Sequence, residues 1–204
     1  MQVHDVEQGS EAWFSARAGI PTASEFKRIV TSKGDASKQL GDYAAQLAAE
    51  LYAGRPLDRF EGNAATERGH ELEAEARLSY EFIHSLEVQQ VGFVTNHGAG
   101  ASPDGTVGSD GLLEIKCQLA KNHVQTLAHI ARWKTCPADY IPQARGQMFI
   151  CDRAWVDLLF YHPSLPEALV RIERDAKFDL ALLAQINATI AERDALVELL
   201  GTYA

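Results

Sequence analysis

The chain has 204 residues, 46% of them hydrophobic and 23% charged, with a formal net charge of −9. This composition excludes a disordered chain and fits a globular protein with one core and a single domain over residues 1–204. No apolar run reaches the length of a membrane span, the N-terminus lacks a signal pattern, and Cys117, Cys136 and Cys151 form no CxxC pair. A zinc or redox centre is thereby set aside, and the cytoplasm is the expected compartment. The acidic balance weighs against a protein that coats nucleic acid, but leaves room for an enzyme with a local basic groove.

In chain order, the first segment with chemistry runs from Arg17 to Glu25. Thr22 followed three residues later by Glu25 reads as a capping box that starts a helix. The free N–H groups of its first turn would form an anion site, with Ser24 adding a hydroxyl and Arg17 able to fork onto a phosphate. The plainer alternative is an ordinary capped helix beside a surface arginine.

Gly34–Ser37 reads as a loop, followed by a helix over Lys38–Ala53. Gly62–Asn63 precedes a second long helix over Ala64–Ile83. On it Glu73, Ala76 and Tyr80 share a face by their i, i+3, i+7 spacing. An acid on a partly apolar face needs a partner such as a metal ion, or else it is solvated. Glu71 and Glu75 fall elsewhere on the helix and are expected to be solvated.

Strands are expected at Val88–Thr95, Ala101–Val107 and Leu112–Cys117. They carry Pro103-Asp104-Gly105 and Leu113-Glu114-Ile115-Lys116, with Asp104 ten positions before Glu114. This is the spacing of metal-dependent nucleases. A phosphodiester is anionic, so a divalent ion held by carboxylates must neutralise it and lower the pKa of a water. Hard oxygen ligands suit Mg²⁺, and a lysine beside it can position the water, accept its proton or offset developing charge. Alternation places Leu112, Glu114 and Lys116 on one strand face and Leu113, Ile115 and Cys117 on the other. A turn at Ser109-Asp110-Gly111 would fold Asp104 opposite the region of Lys116, with Glu114 diagonal to it. The competing reading is a hairpin with an exposed salt bridge.

A helix follows over Ala120–Ala131, and another from Asp139 to Cys151. In the latter, Asp139 is a candidate cap and Pro142 is tolerated in the first turn. Tyr140, Gln143 and Gln147 form a polar stripe suited to phosphate, sugar or water. Strands at Ala154–Tyr161 and Ala168–Arg174 and a helix over Lys177–Leu200 complete the chain. The fold class is α/β (α+β), a mixed central sheet flanked by helices. No GxxxxGK[ST], GxSxG or HExxH pattern occurs, and the seven histidines show no ligand pairing.

Five pieces in order resemble the lambda-type exonucleases of phage recombination systems, also called alkaline or YqaJ-type nucleases. They are Ser10-Glu11-Ala12-Trp13 through Ser24-Glu25, Gly69 through Arg77, Ser102-Pro103-Asp104-Gly105, Leu113 through Cys117, and Tyr140 through Gln143. The resemblance implies a restriction-endonuclease-like PD-(D/E)xK core and degradation of one strand of linear double-stranded DNA from its 5′ end, processively, leaving a 3′ tail. It implies Mg²⁺, with Mn²⁺ as substitute, held by Asp104, Glu114 and the Ile115 carbonyl. Glu73 would support that site and Lys116 would act on the water. Arg17, Ser24 and Ser102 are implied to hold the 5′-phosphate, and Tyr140 and Gln143 match the family's helix motif beside the site. A ring-shaped homotrimer, a single-strand annealing protein as partner, and a phage or prophage origin in a bacterial host follow from the same resemblance. Some members carry a further acid before the SPDG-like segment. Here that stretch reads Thr95 to Gly100, so either Asn96 or His97 substitutes or the ligand is absent. The rival readings are a structure-selective or restriction-like endonuclease on the same core, and a non-catalytic DNA-end-binding scaffold.

Overall fold

The computed structural model describes residues 1–57 and 64–203. The Gly62–Asn63 turn lies outside the described residues, as does the side chain of Glu71. Five strands form the central sheet in the order β2-β5-β6-β7-β8: β2 (Val88–Gln89), β5 (Gly105–Val107), β6 (Gly111–Cys117), β7 (Trp155–Tyr161) and β8 (Ala168–Glu173). β6 and β7 run parallel, and the other neighbours antiparallel. A smaller sheet has the order β1-β3-β4, with β1 (Gln2–His4), β3 (Phe93–Asn96) and β4 (Ala99–Ala101).

The helices are α1 (Glu11–Arg17), α2 (Leu40–Ala53), α3 (Ala64–His84), α4 (Ala120–Trp133), α5 (Ile141–Cys151) and α6 (Ala176–Gly201). Ser10 caps α1 by accepting from the Trp13 N–H at 3.2 Å. Gly54 ends α2 at φ +65°, a left-handed conformation that suits glycine.

Successive residues of β6 and β7 face opposite layers, as alternation requires. Leu112, Val156, Leu158 and Phe160 join a core built with Phe26, Tyr43, Leu47, Met148, Phe178, Leu182 and Ile186. Leu113, Ile115, Leu159 and Tyr161 join Ala76 and Tyr80 of α3 on the other side. Both strands are covered on both faces, which is why they read as apolar runs. The odd face also carries a buried polar cluster: Asp157 accepts from Tyr80 Oη at 2.7 Å and from Arg171 Nε and Nη2 at 2.8 Å each.

Two expected strands are each divided, and the division builds the site. The run from Val88 to Thr95 splits into β2 in the large sheet and β3 in the small one. The N-terminal segment crosses at Gly92, where a Cβ would stand 2.2 Å from the Val6 carbonyl oxygen. The run from Ala101 to Val107 splits around Ser102-Pro103-Asp104, because Pro103 has no N–H to donate to a ladder. Asp104 therefore sits where the chain passes from one sheet to the other.

The capping box at Thr22 does not form. A six-residue 3-10 helix, Ala23–Arg28, replaces the expected helix, and the Thr22 hydroxyl makes no cap bond. Its Oγ1 accepts instead from Arg17 Nη2 at 3.3 Å and lies 3.4 Å from Ser24 Oγ. The chain here is tied down differently: Gly100 N donates to the Pro21 carbonyl at 2.9 Å, and Thr22 N to Tyr43 Oη at 3.0 Å. So short a 3-10 helix provides no helix-terminus anion site. The helix expected from Asp139 likewise opens as a 3-10 turn, Ala138–Tyr140, before α5 begins with Pro142 in its first turn.

Candidate active site

The β5–β6 hairpin pairs Gly105 with Leu113 and Val107 with Gly111. Extended by one residue, that register sets Asp104 across from Glu114, two residues short of the expected position opposite Lys116. The loop is Gly108–Asp110, with Gly108 at φ +56°, rather than Ser109–Gly111. The Ile115 N–H donates to Asp104 Oδ2 at 2.5 Å, which fixes the carboxylate at the edge of β6.

Glu114 is 3% exposed and is not part of a surface salt bridge. Its Oε1 accepts from Lys116 Nζ and from Gln143 Nε2, both at 2.6 Å, and its Oε2 accepts from Gln147 Nε2 at 2.6 Å. Lys116 also donates to Gln143 Oε1 at 3.0 Å. The polar stripe of α5 thus faces inward onto the carboxylate and is not a solvated groove wall. Tyr140 Oη accepts from Gln118 Nε2 at 2.5 Å, and its ring centroid lies 5.8 Å from Lys116 Nζ.

Burial, then Glu114 and Glu73, hold the Asp104 carboxyl well above the usual carboxylate range, against the pull of Lys116 and the Ile115 N–H. Burial pushes the Lys116 ammonium down, but Glu114 and Asp104 outweigh it, so its pKa lies above the ordinary lysine value. Negative charge is in excess at this site. Glu73 contributes to it from α3, with its Oε1 3.9 Å from Arg77 Nη1, while Arg77 also donates to the Asp104 carbonyl at 3.5 Å.

The oxygens suit a hard cation. Asp104, Glu114 and the main chain at Ile115 offer oxygen only, as Mg²⁺ or Mn²⁺ prefers. Burial, with Glu73 and Asp104 nearby, pushes the Cys117 thiol up to about 11, so it provides no thiolate. Gln147 Oε1 is buried with no hydrogen-bond partner among the described residues, so it can accept one more hydrogen bond. No group of three or more His, Cys, Asp or Glu converges among the described residues. The donors therefore fit a cation held by two carboxylates, a carbonyl and waters.

A second cluster forms around Arg17. Its Nη2 donates to Ser24 Oγ at 3.2 Å and to Thr22 Oγ1 at 3.3 Å, and its Nη1 to Ser102 Oγ at 3.5 Å. The guanidinium lies 4.0 Å above the Trp13 ring, whose Nε1 donates to Ser102 Oγ at 2.8 Å. Burial lowers the Arg17 pKa to about 10, with Tyr43, Glu25 and Glu50 pulling upward, so it remains a cation at neutral pH. Among the described residues its hydrogen bonds go to hydroxyls, leaving positive charge for an incoming anion. A cavity of about 370 Å³ opens beside it, its lining including Trp13, Arg17, Thr22, Ser24 and Tyr43 together with the acids Glu25 and Glu50.

The structure therefore brings Arg17, Ser24 and Ser102 together in one cluster, and Asp104, Glu114, Lys116, Gln143 and Tyr140 in another with Glu73 at its rim. It does not bring Asn96 or His97 to either. Asn96 Nδ2 donates to the Ile150 carbonyl at the far end of α5, and His97 stacks on Phe149 at 4.6 Å. Glu75 accepts from Tyr161 Oη at 2.6 Å and so is not merely solvated. Trp13 and Arg77 lie inside pieces of sequence that carried the resemblance, but only contacts distant in sequence reveal what they hold.

The model of the YqaJ-like viral recombinase domain matches residues 12–154. The chain belongs to the YqaJ-like viral recombinase family. Among solved structures, the alkaline exonuclease LHK-Exo from Laribacter hongkongensis superposes with a TM-score of 0.82 at 35% identity, covering 95% of this chain and 97% of that one. The same exonuclease in complex with dAMP gives a TM-score of 0.83 at 33% identity over 95% and 97% of the two chains. A phage related exonuclease from Haemophilus somnus 129PT shares the fold, with a TM-score of 0.71 at 17% identity over 89% and 96%. Comparison with curated proteins gives no significant match. The architecture of this YqaJ-like domain is that of the alkaline exonucleases, a restriction-endonuclease-like core.

Proposed function

We propose that the protein is a Mg²⁺-dependent 5′→3′ exonuclease that digests one strand of linear double-stranded DNA, processively, and leaves a 3′ single-stranded tail for phage-type recombination. The observation that carries this reading is the spacing of the two clusters. Ser102 and Asp104 are two residues apart, which spans at most about 7 Å of chain. That is on the scale of one backbone repeat in a nucleic-acid strand. A terminal phosphate held by Arg17, Ser24 and Ser102 would set the next phosphodiester at Asp104, so each cut releases one nucleotide. The similarity to an exonuclease solved with dAMP agrees with a mononucleotide product.

The cation would be held by Asp104, Glu114 and the Ile115 carbonyl, with Glu73 acting through water and Mn²⁺ able to replace Mg²⁺. When bound, it neutralises the phosphodiester and lowers the pKa of the attacking water. Lys116 must then release Glu114 Oε1, and stays tethered by Gln143 Oε1. As an ammonium it would donate to the charge developing on the phosphate; as a neutral amine, with a cation bound beside it, it would take a proton from the water. Gln143 and Gln147 hold the Glu114 carboxylate in the plane it needs, and Tyr140 walls the site beside Lys116. Lys116→Ala should abolish cleavage and leave end binding largely intact; near-normal turnover would remove Lys116 from the mechanism.

A homotrimeric ring around DNA and a single-strand annealing protein on the 3′ tail complete the proposal. Family membership supports both. The apolar face of α6 supports neither, because Phe178, Leu182 and Ile186 are consumed in the protein's own core. Exposed apolar side chains stand on α3, where Leu78 and Phe82 are one turn apart, and on α6 at Leu180 and Leu199. No helix among the described residues is long and apolar enough to cross a membrane.

The deciding experiment uses duplex DNA with Mg²⁺, comparing a 5′-phosphate end, a 5′-hydroxyl end and a covalently closed circle. Mononucleotides released fastest from the phosphorylated 5′ end, with the circle untouched, are expected. Nicking of the circle would replace this reading with an endonuclease, and end binding without cleavage with a recombination scaffold.

A further inference from the structure

Accounting for the protons around Ser102 shows that the phosphate cluster has a residue behind it that sets its direction. A serine hydroxyl has one proton and two lone pairs, and an indole N–H can only donate. Ser102 Oγ accepts from Trp13 Nε1 at 2.8 Å, while the Arg17 Nη1 donor lies at 3.5 Å. Among the described residues both of its hydrogen-bond partners are donors, so the Ser102 proton is left to point at an acceptor outside the pair. Thr22 and Ser24 differ: their hydroxyl oxygens lie 3.4 Å apart, so one can spend its proton on the other. Ser102 is thus the hydroxyl that Trp13 commits as a donor.

The same ring orients the arginine. Trp13 and Arg17 are four residues apart on α1, and the guanidinium lies 4.0 Å over the indole centroid. The Trp13 main chain is held by Ser10 Oγ, which accepts from its backbone N–H at 3.2 Å, and Phe14 packs edge-on to the indole at 4.8 Å. One side chain therefore sets both the plane of the cation and the proton of the hydroxyl. A terminal phosphate carries about −1.5 to −2 charge and three acceptor oxygens near neutral pH, against a single charge on an internal diester. Converging fixed donors favour the former.

We propose that Trp13 is a positioning residue that determines the preference for a terminal 5′-phosphate, acting through Ser102 and Arg17. The inference rests on the reading of that cluster as the 5′-phosphate site. Trp13→Phe keeps an aromatic ring under Arg17 and removes the N–H. The ratio of kcat/KM on 5′-phosphate ends to that on 5′-hydroxyl ends should fall about fivefold, the scale of one hydrogen bond. The loss should appear in KM, and equally in end binding measured by fluorescence anisotropy without divalent metal. Ser102→Ala, which leaves the indole untouched, should lose a similar factor, and the double variant no more than either single one. A wild-type preference retained in Trp13→Phe, or losses that multiply in the double variant, would overturn this inference alone. A wild-type protein indifferent to the 5′ group would overturn the phosphate-site reading, and this inference with it.

Discussion

At the scale of single residues, the site is organised by one buried carboxylate and the amides that hold it. Glu114 is almost inaccessible, and its hydrogen-bond donors are Lys116, Gln143 and Gln147. Leucine at position 147 has a similar volume but no N–H, so it would leave Glu114 Oε2 buried without that donor. Gln147→Leu should therefore destabilise the protein by about 1–3 kcal/mol and raise the metal concentration needed for half-maximal cleavage. Urea unfolding and a Mg²⁺ titration measure the two effects; unchanged values for both would show that Gln147 does not hold Glu114. Much of this candidate cluster was legible in the sequence. Asp104, Glu114 and Lys116 followed from spacing alone, and Gln143 and Gln147 from their i, i+4 periodicity. What could not be read was that the amides meet Glu114, because the two pieces are joined only when α5 packs on β6. The same holds for Trp13 with Ser102 and for Arg77 with the Asp104 carbonyl, contacts that span 89 and 27 positions.

At the scale of elements, close approaches place these residues. α5 lies against the 3-10 helix at Gly146, where a Cβ would stand 2.2 Å from Phe26 Cδ2, and Phe26 is fully buried. Gly146→Ala raises helix propensity yet forces the two elements apart, and overpacking of this kind costs about 1–3 kcal/mol. The variant should melt at a lower temperature and lose cleavage out of proportion, because Gln143 and Gln147 move with the helix. A rise in Tm would mean that Phe26 yields without shifting α5. The start of α6 shows a pH dependence. Asp175 accepts from the Lys177 and Phe178 N–H groups at 3.0 and 3.1 Å, and from Arg145 Nη1 at 2.9 Å. The Phe178 N–H, with Arg145 adding its charge, holds its carboxyl below the usual range. A depressed folded pKa stabilises above the unfolded value, near 3.9, and that stability is lost as pH falls through the folded one. Asparagine caps comparably, so Asp175→Asn should trail the wild type in Tm at pH 6 and converge on it only as pH falls below the depressed folded value. A gap that persists in acid would assign the effect to geometry and not charge. From α2 onward element type and order were legible in the sequence because periodicity is local, whereas β1 and α1 were not read. Boundaries failed at Thr22 and Gly92, where an arginine or a crossing segment claimed groups that the local pattern had assigned to a cap or a ladder, and at Pro103, which has no N–H for a ladder.

At the scale of the whole molecule, the chain must act on a polyanion while carrying a net charge of −9. Net charge does not draw DNA to such a surface, and the cations at the two clusters are local: Arg17 at one, Lys116, Arg77 and the proposed metal at the other. A monomer of this kind would release its substrate between cuts. Enclosure changes that, because a duplex threaded through a ring is kept at high effective concentration without strong contacts. Chains of 22.4 kDa should therefore scatter light as a particle of three times that mass. Their digestion of labelled duplex should continue past many nucleotides after excess unlabelled ends are added. The exposed Phe82 on α3, 87% accessible, is an apolar group that a neighbouring copy would cover. Monomer mass at working concentration, together with release after each nucleotide, would rule out the ring and leave the protein a distributive exonuclease. Trimer mass with release after each nucleotide would keep the assembly but place the DNA outside it.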